Sequence, residues 1–199
     1  MRVFASKSNQ KFVSKIVLAV GGGSIIDEAK IYAKKHKMYC IAIPTTAAGA
    51  TATSHGVVWD KTKKDIKTDI PYTLILDNYP KYLPKKVLKD TIDDCRAHIY
   101  ESLKSIYATK KSVLFAELAL QFLKDYYKHK RLHDLLIAGH LAGCAIEITG
   151  TNIIHKMSYP LTLRGWTHGK AVGFVHRLLC GNRRHIARRA YKIPRKMWK

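Results

Sequence analysis

Apolar positions follow two rhythms along this chain. Up to about residue 77, short β-branched runs alternate with a helical period. Residues 16–20 form an apolar run that predicts a buried strand. It meets Gly21, Gly22 and Gly23, then Ser24. A helix is predicted next, with Ile25, Ile26, Ala29 and Ala33 on its inner side. Residues 39–43 predict a second buried strand closed by Pro44, followed by a loop rich in Thr, Ala and Gly over 45–54. Residues 57–59 and 72–76 predict further strands, and the charged stretch 60–69 between them predicts a solvated turn region.

From about residue 83 the rhythm is helical. Residues 87–103 carry helical spacing behind Pro84. Residues 112–127 are amphipathic, with Leu114, Leu118 and Phe122 four apart on one face. Residues 132–148 predict a helix whose Ala138, Ala142, Gly143 and Ala145 permit close packing. One further helix is expected to carry His155, and another to start near His168. An α/β half followed by an all-helical half implies two layers with a cleft between them.

Composition narrows the classes. A length of 199 residues and an apolar fraction of 47% support one domain, or two small ones, with a real core. No uninterrupted apolar run is long enough to span a bilayer, and the first dozen residues lack the pattern of a secretory signal. Cys40, Cys95, Cys144 and Cys180 are scattered singly, without a CxxC pair. They read as buried or free thiols in a reducing cytoplasm, and the expected location is cytoplasmic without membrane association. The net charge of +22 suits an anionic partner in principle. The lysines are spread along the chain, however, and no nucleic-acid motif accompanies them, so nucleic-acid binding is not expected.

Two groups of residues carry candidate chemistry. A strand running into Gly22-Gly23-Ser24 and then a helix can cradle a phosphate, because glycine admits close approach and the helix N-terminus offers free N–H groups. The same residues read equally as a tight strand-to-helix turn. Thr45 and Thr46 offer hydroxyls beside it, or simply a polar loop. The second group is Asp94 and His98, four apart on one predicted helix face, with His155 and His168 later in the chain. One carboxylate and three imidazoles suit Fe²⁺ or Zn²⁺, a Lewis acid able to polarise an alcohol or carbonyl oxygen. Against this, a chain with ten histidines yields chance groupings.

Several segments in fixed order carry a family resemblance. They are AVGGGSIIDEAK at 19–30, IAIPTTA at 41–47, LILD at 74–77, LP at 83–84, DTIDDCRAHIYES at 90–102, LAGCAIEITGTNIIHKMSYPLT at 141–162 and THGKAV at 167–172. Over about residues 16–175 the chain resembles the iron-containing alcohol dehydrogenases, in the superfamily shared with dehydroquinate synthase. Within that family the wording HKMSYPLT is most similar to a branch that includes phosphonoacetaldehyde reductases.

The resemblance implies a partial Rossmann-like α/β layer followed by a helical metal-binding bundle. It divides the chain into 1–78, 79–175 and a basic tail 176–199 unlike the family. Asp94, His98, His155 and His168 match the family's metal ligands, for Fe²⁺ or Zn²⁺. Gly22, Gly23, Ser24 and Asp27 match its pyrophosphate-binding turn, and Thr45 and Thr46 its second cofactor loop. The implied chemistry is hydride transfer between NAD(H) or NADP(H) and a small alcohol or aldehyde; the assembly state, with a homo-oligomer among the options, stays open. No side chain stands out as a general base.

Departures accompany the match. The family loop TTxGTGSE is here Thr45-Thr46-Ala47-Ala48-Gly49-Ala50-Thr51-Ala52, with alanines for glycines and the acidic residue missing. The spacing from His155 to His168 is one residue shorter than usual. Family members have a further α/β unit before the GGGS strand and more helices after the HG pair. The resemblance therefore implies a shortened member with an uncovered sheet edge and impaired activity. The alternatives carried beside it are a non-catalytic remnant and a dehydroquinate synthase-like lyase.

Overall fold

The computed structural model describes residues 15–180, apart from residues 60 and 78. Three parallel strands, β1 (Ile16–Gly21), β2 (Tyr39–Pro44) and β5 (Tyr72–Thr73), form a sheet in the order β1-β2-β5. Helix α1 (Gly23–Lys35) connects β1 to β2 and covers one face, where Ile26, Ala29 and Ala33 meet Val17, Ala19, Cys40 and Ala42. The register sets Ile16 beside Tyr39, Leu18 beside Ile41 and Val20 beside Ile43. Ile16, Leu18, Val20 and Tyr39 are exposed on the opposite face, and β1 pairs only with β2 among the described residues. Parallel sheets are ordinarily covered on both faces.

Three expectations for this layer change. Ile25 points outward, and Lys30 takes the inner place beside Ile26, Ala29 and Ala33. The third strand pairs only over Tyr72–Thr73, short of residue 76. The charged stretch 60–69 is more than a solvated turn, because Lys63–Lys67 forms β4, antiparallel to β3 (His55–Trp59). With most of its residues exposed, β4 shows no hydrophobic alternation, and backbone pairing with β3 defines it.

Lys30 is only 1% exposed, with its ammonium at the centre of this layer. It donates to the carbonyl oxygens of Ala50 (2.8 Å) and Thr53 (3.2 Å) and to that of His55, and it pairs with Asp27 at 2.8 Å. One buried cation thus ties α1 to the whole loop after β2. Lys30→Met is expected to leave Asp27 and those carbonyls unsatisfied, at a cost of about 3–5 kcal/mol. Urea unfolding measures it, and a loss below about 1 kcal/mol would refute the role.

The helical layer comprises α2 (Lys85–Lys104), α3 (Lys110–His129), α4 (Leu132–Thr149), α5 (Ile153–Leu163) and α6 (His168–Cys180). A reciprocal capping box of Thr109 and Ser112 starts α3, and Gly150 at φ 68° ends α4. Leu114 and Leu118 face outward, contrary to the apolar face they suggested. The buried side of α3 is Ala116, Ala119, Leu120, Leu123 and Tyr126. Its core cluster includes Ala138, Ala142 and Ala145 of α4, so close approach through alanines, which carry little weight in a hydrophobicity pattern, decides the facing side.

By length and composition α4 could cross a bilayer, at 18 residues and mean hydropathy 1.2, although no uninterrupted apolar run does so. Half of it is buried inside this fold, as a core helix would be. Helix α6 continues five residues into the stretch 176–199 and ends at Cys180, with Val175, His176 and Cys180 buried. Residues 181–199 lie outside the described residues.

Candidate metal and cofactor site

The two layers meet along the loop over residues 45–54. Ala47 belongs to the helical core cluster, and Gly139 and Gly143 of α4 admit the loop backbone. The left-handed position of the loop falls on Gly49, at φ 74°. Neither Ala48 nor Ala50 takes a positive φ, so the alanines that replace the family's glycines are conformationally tolerated.

A cavity of about 600 Å³ opens beside this loop. Gly23, Ser24, Asp27 and Thr46 line one side of it, whereas Gly22 and Thr45 are not among its lining residues. The N-cap Gly22 forms no side-chain cap, and the first turn of α1 holds no acidic residue. A Cβ on Gly22 would lie 3.3 Å from Thr46 Oγ1, and one on Gly23 3.3 Å from Ala48 Cβ. Side chains there would fill a narrow cradle, which fits the approach of a phosphate to backbone amides.

Asp94, His98, His155 and His168 line the same cavity. Asp94 and His98 project from α2, His155 from α5, and His168 from the first residue of α6. Asp94 Oδ1 is the common point, 3.3 Å from Nε2 of His155, 3.6 Å from that of His168 and 3.7 Å from that of His98. The ligand atoms of Asp94, His98 and His155 lie within 4.8 Å of one another, and all three residues are buried. His168 completes the group from the rim, its side chain 34% exposed. The His98 and His155 rings stack with centroids 4.6 Å apart. The β3–β4 hairpin closes this end, with Trp59 against His168 and Tyr159, and Lys63 Nζ 3.2 Å from the Tyr159 hydroxyl.

Charge is organised around Asp94. Burial raises its carboxyl pKa, but the charge of His98, the His155 hydrogen bond and the charge of His168 outweigh it and hold the group well below the carboxylate range. Burial drives His98 down to about 4 despite Asp94. Burial also opposes the charged form of His155, but its bonds to Asp94 and Glu101 prevail and raise it to about 9. His176, buried elsewhere in α6, is pushed down to about 4, first by burial and then by Arg96.

These shifts fix a pH profile for the metal-free protein. The depressed His98 and His176 contribute stability above pH 6.5 that is lost as pH falls through 4. The raised His155 contributes stability below pH 6.5 that is lost as pH rises through 9. Thermal midpoints of chelator-treated protein are expected to peak near pH 6.5, each arm worth on the order of 3 kcal/mol per group. In His155→Gln the alkaline arm should flatten, and an unchanged alkaline arm would refute its origin in His155.

Reasoning from sequence missed two residues here. Glu101 continues the Asp94–His98 stripe at the next helical step, and it is buried against the start of α5. Glu147 of α4 binds the amide of Ser54 (3.0 Å) and its hydroxyl, fastening the end of the loop. The helical period could have shown the first. Only the tertiary fold brings the second to its partner.

Comparison with known proteins finds likenesses in sequence and in fold. The family signature described as iron-containing alcohol dehydrogenase matches residues 3–79. The 4-hydroxybutyrate dehydrogenase of Clostridium kluyveri is 28% identical, covering 73% of this chain and 48% of its own length. The phosphonoacetaldehyde reductase of Streptomyces viridochromogenes is also 28% identical, over 79% of this chain and 50% of its own length. The crystal structure of the iron-containing alcohol dehydrogenase of Thermotoga maritima superposes with a TM-score of 0.72 at 28% identity, covering 82% of this chain and 53% of that one. In sequence and in fold the chain is thus similar to the iron-containing alcohol dehydrogenases. It spans about half the length of the curated relatives it matches.

Proposed function

We propose that this chain carries the metal- and cofactor-binding core of an oxidoreductase that moves hydride between NAD(P)H and a small alcohol or aldehyde. The observation that carries the reading is the convergence of three imidazoles from three helices on Asp94 Oδ1, across one cavity from the Gly23-Ser24 turn. Asp94, His98, His155 and His168 would hold Fe²⁺ or Zn²⁺, a donor set suited to either ion. Such an ion supplies Lewis acidity towards a carbonyl or alcohol oxygen. The α/β layer would serve the cofactor and the helical layer the metal, with the loop over 45–54 as their shared seam.

The chain's own residues set the remaining terms. The amides at the start of α1 would receive the pyrophosphate, with the Thr46 hydroxyl beside them. Trp59 and Tyr159 wall the cavity against water next to the histidines. The full chain, loaded with Fe²⁺ without oxygen or with Zn²⁺, is expected to bind NAD(P)H and oxidise it in the presence of a small aldehyde. Gly23→Asp places a charge and a side chain in the cradle and should abolish binding. No NAD(P)H binding by the unmutated chain at about 1 mM, equivalent to about 4 kcal/mol, would overturn the cofactor half of the proposal.

A further inference from the structure

Glu101 sits on the inner face of α2 with its carboxylate buried, and both oxygens are in use. Oε1 accepts from the backbone N–H groups of Ile154 (2.6 Å) and His155 (3.2 Å). Oε2 accepts from the N–H of Asn152 (3.0 Å) and from Nδ1 of His155 (2.6 Å). Asn152, the N-cap of α5, forms no side-chain cap of its own, so α2 caps α5 from outside. An ionised carboxylate only accepts hydrogen bonds, so Nδ1 of His155 carries the proton. Nε2 is then the nitrogen that faces Asp94. By contrast, Nδ1 of His98 and Nδ1 of His168 have no hydrogen-bond partner among the described residues. His155 is therefore the imidazole of this trio whose tautomer and ring plane a carboxylate fixes.

We propose that Glu101 is a positioning residue of the metal site, holding His155 with its Nε2 lone pair directed at the ion. This inference rests on the metal reading of Asp94, His98, His155 and His168. It also accounts for charge. With neutral imidazoles, Asp94 and Glu101 together supply two negative charges in a buried place, matching a divalent cation. A histidine that donates its second nitrogen to a carboxylate is a stiffer and more basic ligand.

The competing reading is that Glu101 only caps α5, and two variants of the full chain separate the two. Glu101→Gln keeps one oxygen for the backbone amides but sets an amide NH₂ against Nδ1. That favours the tautomer with the proton on Nε2, pointing at the metal position. Glu101→Gln combined with Asn152→Asp restores a cap to α5 and leaves Nδ1 without its carboxylate. Co²⁺ affinity, followed by its visible absorption with a competing chelator, and the thermal midpoint of the metal-free protein are read on each. Both variants are expected to bind Co²⁺ about 10–100-fold more weakly than the unmutated chain. The metal-free midpoint should fall in the single variant and recover in the double. Unchanged affinity in Glu101→Gln, or affinity restored by adding Asn152→Asp, would overturn the proposal while leaving the metal reading intact. No Co²⁺ uptake by the unmutated chain would instead overturn the metal reading, and this inference with it.

Discussion

Asp94→Ala is expected to lose bound metal, with affinity for Fe²⁺ or Zn²⁺ falling at least about 1000-fold, or about 4 kcal/mol. Asp94 Oδ1 is the point on which Nε2 of His98, His155 and His168 converge, within 3.3–3.7 Å. It is the anionic member of the set, buried where charge is little screened. Without it a divalent ion would enter a buried pocket with neutral imidazoles alone as ligands. His168→Ala should do less, because His168 joins from the rim and the three buried groups remain. Metal content after desalting, measured on both variants beside the unmutated chain, gives the ranking. Full metal content in Asp94→Ala would refute the site, and equal content in His168→Ala and the unmutated chain would remove His168 from it.

The second large effect lies at the seam between the layers. Gly139→Val and Gly143→Val are each expected to prevent cooperative folding, or to cost more than about 4 kcal/mol. A Cβ on Gly139 would lie 2.6 Å from Ala47 Cβ and 2.6 Å from the Ala47 carbonyl carbon. One on Gly143 would lie 2.9 Å from Gly49 Cα and 2.9 Å from Ala52 Cβ. These neighbours are loop backbone and short side chains, with no flexible tip to swing aside. The loop in turn is fixed by Lys30, by Glu147 and by Ala47 in the helical core. Relief would require separating the layers, which would also pull Thr46 from the Gly22-Gly23 turn. Gly150→Ala makes a control, since a Cβ there meets nothing within 4 Å and only its φ of 68° opposes the change. Its φ of 68° with ψ of 167° is open almost only to glycine, so its cost should lie at about 1–3 kcal/mol, still below that of the valine variants. Circular dichroism melts distinguish these outcomes, and a sharp transition near the parent midpoint for either valine variant would refute the close packing.

Sequence by itself indicated the order and type of most elements, and it named the candidate site residues. The strand at 16–20, the turn into α1, and the start of α6 at His168 follow from local rules, because period, glycine and capping chemistry act over a few residues. Asp94 and His98 could be paired because four residues is one helical turn. Their link to His155 and His168 came through the order of family motifs, since nothing local joins positions about 60 residues apart. Tertiary structure alone decided what depends on neighbours distant in the chain. Strand β4 exists because β3 offers it a backbone partner, although its charged sequence shows no strand period. Leu114 and Leu118 face outward because α4 approaches α3 through alanines. Lys30 is buried because three loop carbonyls and Asp27 converge on its ammonium. Glu101 acquires its role only when α5 arrives with its uncapped amides and the Nδ1 of His155. Hydrophobic periodicity records burial in proportion to apolar area, whereas a buried charge is held by directional bonds to groups that the chain brings together only on folding.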